Sequence, residues 1–231
     1  MTARPIIAID GPAEAGKGTL ARRIAAALGL PYLDTGLLYR AVGRRVLDTG
    51  ADPADPAVAE AAARALMPTD LERPDLRGPQ ADAAAAAVAA IPAVRAALLA
   101  FQRGFGTEHG AVLDGRDIGT VIFPDAGVKL FVTASLEERA RRRWLELRAK
   151  GVSADLTTVE QDMRAREAQD AARTAAPLRA ADDAVLLDTT ALDAEAAFQA
   201  AMQAVQSKIK ILPLPLRAWG AKRTKVGGRG R

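Results

Sequence analysis

The chain has 231 residues, 49% of them hydrophobic, 26% charged and 4% aromatic, a composition that suits one large domain with a sizeable buried core. It holds no Cys and a single His, His109, which excludes disulfides, thiolate-held metals and multi-His metal sites. The net charge of +4 hides an asymmetry: residues 207–231 carry eight of the 32 basic residues and no acid, leaving 24 basic against 28 acidic residues, or −4, in residues 1–206. A nucleic-acid reading based on overall charge therefore rests on the tail alone.

From the N-terminus, "RPIIAIDG" is a compact apolar run bounded by Pro and Gly, the pattern of a buried strand. It is neither a signal peptide nor a membrane span, and no later run approaches the ~18 apolar residues that a span needs. A cytoplasmic protein with no membrane partner is expected. A Gly-rich turn leads into the helix "KGTLARRIAAALG", with Leu20, Ile24, Ala27 and Leu28 at helical spacing and Gly29 as its stop. "LPYLDTG" reads as a second strand and "LLYRAVGRRVLDTG" as a second helix. A further helix is expected over 56–66, within a Pro-, Asp- and Ala-rich stretch running from 52 to 78.

"QADAAAAAVAAI" and "PAVRAALLAFQRGFG" read as two helices, the second opened by Pro92 in its first turn. "GAVLD" and "VKLFVTA" are strand-type runs. Ser135 with Glu138 predicts a capping box for the helix "LEERARRRWLELRAKG", ending at Gly151. A polar helix over "LTTVEQDMRAREAQDAARTAA", a strand "AVLLDTT" and a last helix "DAEAAFQAAMQAVQ" complete the body. Five strands alternating with helices predict a three-layer α/β/α sandwich around a five-stranded parallel sheet. The body spans 1–206. The basic tail, 207–231, ends in Gly and basic residues only and reads as partly disordered.

The turn after the first strand is "GPAEAGKGT": Gly11, Pro12, Ala13, Glu14, Ala15, Gly16, Lys17, Gly18 and Thr19. Gly11, four residues, Gly16 and Lys17 match the first seven positions of the P-loop pattern. In that pattern backbone N–H groups cradle phosphate oxygens, the helix N-terminus adds partial positive charge, and the Lys reaches the β- and γ-phosphates of a nucleoside triphosphate. The strict pattern has Ser or Thr directly after Lys. Here Gly18 intervenes, giving the G-K-G-T form seen in nucleoside monophosphate kinases. A phosphoryl acceptor must then bind opposite the loop, at the carboxyl ends of the strands. Thr35, Tyr39 and Arg40 lie at one such end, and "VLDGRDIGT" (112–120) lies at another. In the second stretch two acids, Asp114 and Asp117, flank Arg116 where an apolar run stops.

Together, "IAIDGPAEAGKGTLA", "LDTGLLYRAV", "IPAVRAAL", "LDGRDIGTVIFPDAGVKLFVTAS" and "ERARRR", in this order and spacing, resemble the bacterial cytidylate kinases over roughly residues 5–205. The resemblance implies transfer of the γ-phosphate of ATP to CMP or dCMP with Mg²⁺, by a monomer. It implies that Thr35, Arg95 and Asp117 read the cytosine in a pocket shared with Tyr39, and that Arg40 and Arg116 hold the acceptor phosphate. Arg166, Asp170 and Arg173 would belong to a lid over 151–175 and touch phosphates and ribose, while Lys17, Arg116, Arg166 and Arg173 would act on the transferring group. Asp114, through water, and Thr19 would hold the metal. The acceptor region is expected over 35–108.

Two departures accompany the resemblance. Residues 61–80 are too short and Pro-rich for the small β-meander of longer members. The lid is poor in Arg, with Glu167 where Asp is common and Gln169 and Ala171 at positions that can be Arg. Arg139, Arg142, Arg143 and Arg148 are expected mostly on a solvated helix face, with Arg139 and Arg143 placed to meet a γ-phosphate. His109 is expected to be an ordinary loop residue. The rival readings are another small-molecule P-loop kinase, or an RNA-binding module using the tail.

Overall fold

A computed structural model describes residues 5–107, 110–172 and 177–209. Five strands, β1 (Ile6–Asp10), β2 (Tyr32–Asp34), β3 (Ala111–Gly115), β4 (Val128–Thr133) and β5 (Val185–Asp188), form one sheet in the order β2-β3-β1-β4-β5. All four pairings are parallel. These are the five strands expected from the sequence. Helices cover both faces, which is why the central strands read as continuous apolar runs. Alternation along β1 sends Ile7 and Ile9 to one face, under α1 (Lys17–Leu28) and α8 (Ala194–Lys208), and Ala8 to the other, under α2 (Thr35–Asp48), α3 (Pro56–Arg64) and α5 (Pro92–Thr107).

Helix ends follow local chemistry. Gly29 ends α1 with φ 63, the left-handed cap that glycine takes without strain, and Pro92 opens α5. The capping box expected at α6 (Leu136–Ala149) is half-formed. Ser135 accepts from the N–H of Glu138 at 3.2 Å, but the Ser135 N–H donates to Thr190 Oγ1, and the Glu138 carboxylate serves Arg141 and Arg142 instead. Two nearby guanidiniums outcompete one backbone N–H for that carboxylate.

Residues 61–80 hold the end of α3, a 3₁₀ turn (Pro68–Glu72) and the start of α4 (Pro79–Ala89), and no strand. No pattern in the residues marks the π-helical turn at Ile118–Ile122 that follows β3. The last helix runs past the expected boundary at 206, and Ile209 still packs against the core. The rest of the basic tail, from 210, lies outside the described residues. Among the described residues no single helix is long and apolar enough to cross a membrane.

The acceptor side of the molecule depends on close contact between α2 and α4. A Cβ on Gly43 would stand 2.8 Å from the Ala84 Cβ and 2.9 Å from its backbone carbon. Gly43→Ala should therefore cost stability: overpacking of about 1–3 kcal/mol outweighs the roughly 1 kcal/mol that Ala gains over Gly in a helix. Denaturant unfolding would show a lowered midpoint, and an unchanged or raised midpoint would refute the contact.

Candidate active site

The strand-to-helix turn after β1 is built around left-handed residues. Gly11 has φ 146, and a Cβ there would fall 1.9 Å from the Val132 carbonyl oxygen, so no side chain fits. Gly16 follows at φ 91, and Glu14 holds φ 59 without being glycine, an uncommon conformation that curls the loop. Two loop carbonyls are engaged from outside, Ala13 by Arg139 Nη1 at 3.4 Å and Ala15 by Thr189 Oγ1 at 3.1 Å. Lys17 opens α1. It is buried, and its Nζ donates to Pro12 O across the loop at 2.6 Å. Burial, with the positive charge of Arg116 next, pulls its pKa below the usual lysine value. An arriving polyphosphate reverses that by supplying counter-charge.

Asp114 is the penultimate residue of β3, on the same edge of the site as the loop. The strand register sets Asp114 against Asp34 on one side and Ile9 on the other. Asp114 is buried, and Tyr32 Oη donates to its Oδ1 at 2.8 Å. Burial first, then the like charge of Asp34, lifts it above the ordinary carboxylate range. A buried carboxylate facing the phosphate loop suits a divalent cation. Among the described residues no group of three or more His, Cys, Asp or Glu could hold a metal ion. The residue facing Asp114 is Gly18, whose Cβ would stand 3.8 Å from Oδ2. Thr19, the expected second metal ligand, is exposed on α1.

Asp10 was not singled out from the sequence, yet it anchors the site. Buried at the end of β1, it accepts from the N–H groups of Ile118 and Gly119, each at 2.7 Å. That grip fixes the start of the π-helical turn directly after Arg116 and Asp117. An acid closing a buried apolar strand was the available signal. Burial is the largest influence on Asp10 and raises its pKa to about 6.

The expected acceptor residues converge. Asp117 and Arg95 form a close ion pair, with side chains 8% and 12% exposed, and the Arg95 guanidinium lies 5.8 Å from the centre of the Tyr39 ring. Thr35 is buried, and its hydroxyl donates to Asp114 O at 2.8 Å, so it can offer a ligand only its lone pairs. Gly115 keeps that approach possible, since a Cβ there would sit 2.5 Å from Thr35 Oγ1. Arg116 is half-buried and close enough to Lys17 and Asp114 to influence both charges. Arg40 is ion-paired with Asp82 of α4.

Residues of the expected lid form α7 (Leu156–Ala172), which packs on α6 through Ala140, Val159 and Met163. Arg166 is half-buried on it. Asp170 lies in α7 with its side chain outside the described part, and Arg173 and His109 lie outside the described residues altogether. The solvated face expected for the α6 arginines holds for Arg148, which is exposed, and is corrected for Arg139 and Arg142. Arg139 is buried, bonded to Ala134 O and ion-paired with Glu167 of α7, and Arg142 donates to Thr189 O at 2.7 Å. Buried carbonyls at the loop mouth and the α7 carboxylate draw them inward.

With this geometry in view, the match to known proteins is decisive. The family model described as cytidylate kinase matches residues 7–207. The chain belongs to the cytidylate kinase family. It is 63% identical to a cytidylate kinase of Granulibacter bethesdensis, over 89% of this chain and 98% of that one. Identity is 62% to the cytidylate kinase of Acidiphilium cryptum (89% and 97% covered) and 60% to that of Paramagnetospirillum magneticum (88% and 98% covered). The cytidylate kinase resemblance read from the motifs thus holds over the whole body of the chain.

The Asp10 anchor has a pH signature. Its pKa rises from 3.8 to about 6 on folding, so between those values the folded state binds more protons than the unfolded state. Its contribution to stability is full below about 4 and is lost as pH rises through about 6. Relative to Asp10→Asn, the wild-type protein should gain unfolding free energy as pH falls from 7 to 4. Parallel stability curves for the two proteins would contradict this.

Proposed function

We propose that this chain transfers the γ-phosphate of ATP to CMP and dCMP, as a (d)CMP kinase acting on a phosphate-group acceptor. The observation that carries the reading is the largely buried Arg95–Asp117 pair, just after β3 in the sheet whose first strand leads into the phosphate loop: an acid for a cytosine amine. The 53–63% identity to curated cytidylate kinases supports the same substrate.

In this reading Gly11–Gly18 cradle the ATP phosphates and Lys17 moves from Pro12 O onto the β/γ oxygens. Asp114, through water, and Thr19 would hold Mg²⁺, which when bound would neutralise charge on the ATP phosphates. Asp117 accepts from the cytosine amine while Arg95 holds Asp117 ionised and in place. Tyr39 and the Thr35 oxygen line the same pocket. Arg40 and Arg116 take the acceptor phosphate. Arg166 on α7, with Asp170 and Arg173, covers the transferring group and excludes water, which would otherwise accept the phosphate. Transfer through a loose transition state asks for positioning and charge neutralisation rather than a strong base, which explains the surplus of arginine over histidine. The catalytic unit spans 1–206 with an acceptor region at 35–108 and a lid at 151–175, working as a cytoplasmic monomer.

The first experiment is ATP consumption against a panel of nucleoside monophosphates. CMP and dCMP should turn over fastest, whereas equal rates with AMP or GMP would overturn the reading. Lys17→Met should abolish turnover with the fold retained by circular dichroism. Asp117→Ala should erode the preference for CMP over UMP by about ten- to a hundredfold in kcat/KM, the equivalent of one good polar pair of ~1–3 kcal/mol. Because the Asp114 pKa is raised, kcat/KM for ATP should fall on acidification well before the ordinary Asp value of about 4 is reached. A profile flat down to that value would remove Asp114 from the mechanism.

A further inference from the structure

Asp82 belongs to none of the motifs above. It sits in the first turn of α4 with its side chain 18% exposed. Its two oxygens serve guanidiniums from two different parts of the molecule. Oδ1 accepts from Arg40 Nε of α2 at 3.0 Å and lies 3.0 Å from Arg40 Nη2. Oδ2 accepts from Arg143 Nη2 of α6 at 3.2 Å. Arg143 Nη1 in turn pairs with Glu146 at 2.9 Å and stands 3.8 Å from Glu14 Oε1 in the phosphate loop. A continuous chain of charges thus runs Arg40–Asp82–Arg143–Glu14, from the acceptor helices to the donor loop.

We propose that Asp82 is a positioning residue that orients Arg40 toward the acceptor phosphate and ties the acceptor helices to the donor side of the site. The inference rests on the reading of Arg40 given above. A guanidinium is a planar fork on a flexible stem, so gripping one edge fixes the direction of the others. Asp82 takes the Nε/Nη2 edge. The remaining nitrogen, Nη1, lies beside Gly36 in the first turn of α2, 3.1 Å from where a Cβ on Gly36 would stand. The same point lies 3.0 Å from Asp34 Oδ1, so this nitrogen is turned to the carboxyl end of β2, the end of open α/β sheets at which ligands bind. The shared carboxylate also lets two cations approach each other, which they would resist without it. The opposite role, a carboxylate that occupies Arg40 and must be displaced by the incoming phosphate, would require Asp82 to cover the edge that faces Gly36, and it does not.

The two roles have opposite signs. Removing a positioning residue weakens acceptor binding, whereas removing a competitor leaves a more positive site and tightens it. Steady-state kinetics and calorimetric CMP binding on wild type, Asp82→Ala and Asp82→Asn separate them. Asp82→Ala should raise the KM and Kd for CMP about tenfold, the loss of one charged hydrogen-bonding partner, with the KM for ATP nearly unchanged. Asp82→Asn keeps one acceptor oxygen and should fall between wild type and Asp82→Ala. Should Asp82→Ala fail to fold, Asp82→Asn decides by the same sign. An unchanged or lowered KM for CMP, or a fall in kcat with both KM values unchanged, overturns the proposal. A wild-type protein that binds CMP without phosphorylating it would sink the kinase reading alone, because the ratio of CMP affinities still reports on Asp82. No CMP binding by wild type would end both.

Discussion

One buried carboxylate holds the two halves of the site in register. Asp10 closes β1, the strand that feeds the phosphate loop, and it accepts the first two N–H groups of the turn that follows Arg116 and Asp117. The donor loop and the residues that read the acceptor are therefore hung from the same point. Both N–H groups are buried, and leaving them without a partner would cost on the order of 1–3 kcal/mol each. The turn itself is π-helical over Ile118–Ile122. Its geometry matches a chain end pulled toward a neighbouring strand rather than one continuing as an ordinary helix.

Around that anchor the fold gathers charge that it does not neutralise by itself. Lys17 is buried and pulled below its usual pKa, and Asp114 is buried and pushed above its own. Each pays a desolvation penalty that a bound triphosphate and a cation would relieve. By contrast, Asp117 already has its counter-ion in Arg95, and Arg40 has Asp82. The donor side is thus prepared to receive charge, and the acceptor side is prepared by internal pairing. This is the distribution expected of an enzyme that must orient a small acceptor before transferring a highly charged group to it.

Much of this was legible in the residues. The five strands are short apolar runs ended by Gly, Asp or Thr, and buried parallel strands leave that trace strongly. The loop motif carried its own geometry, because glycine at Gly11 and Gly16 is demanded by positive φ. Asp117 could be picked out through the family resemblance, with which the preference of a cytosine amine for an acid agrees. The rest needed coordinates. Asp10 and Asp82 act through partners 108 and 42 residues away in sequence, and no local pattern records such a partner. The burial of Arg139 was hidden for a similar reason: helical spacing put it on a charged face, and only the packing of α7 revealed the Glu167 carboxylate that meets it.

The central claim is that a cradle on β1–α1 and an acid after β3 grip donor and acceptor at once. A crystal structure of the protein with ADP and CMP tests it most directly. The diphosphate is expected within residues 11–19 and the exocyclic amine of the cytosine within hydrogen-bonding distance of Asp117. A pyrimidine bound away from Asp117, or a diphosphate outside the loop, would contradict it.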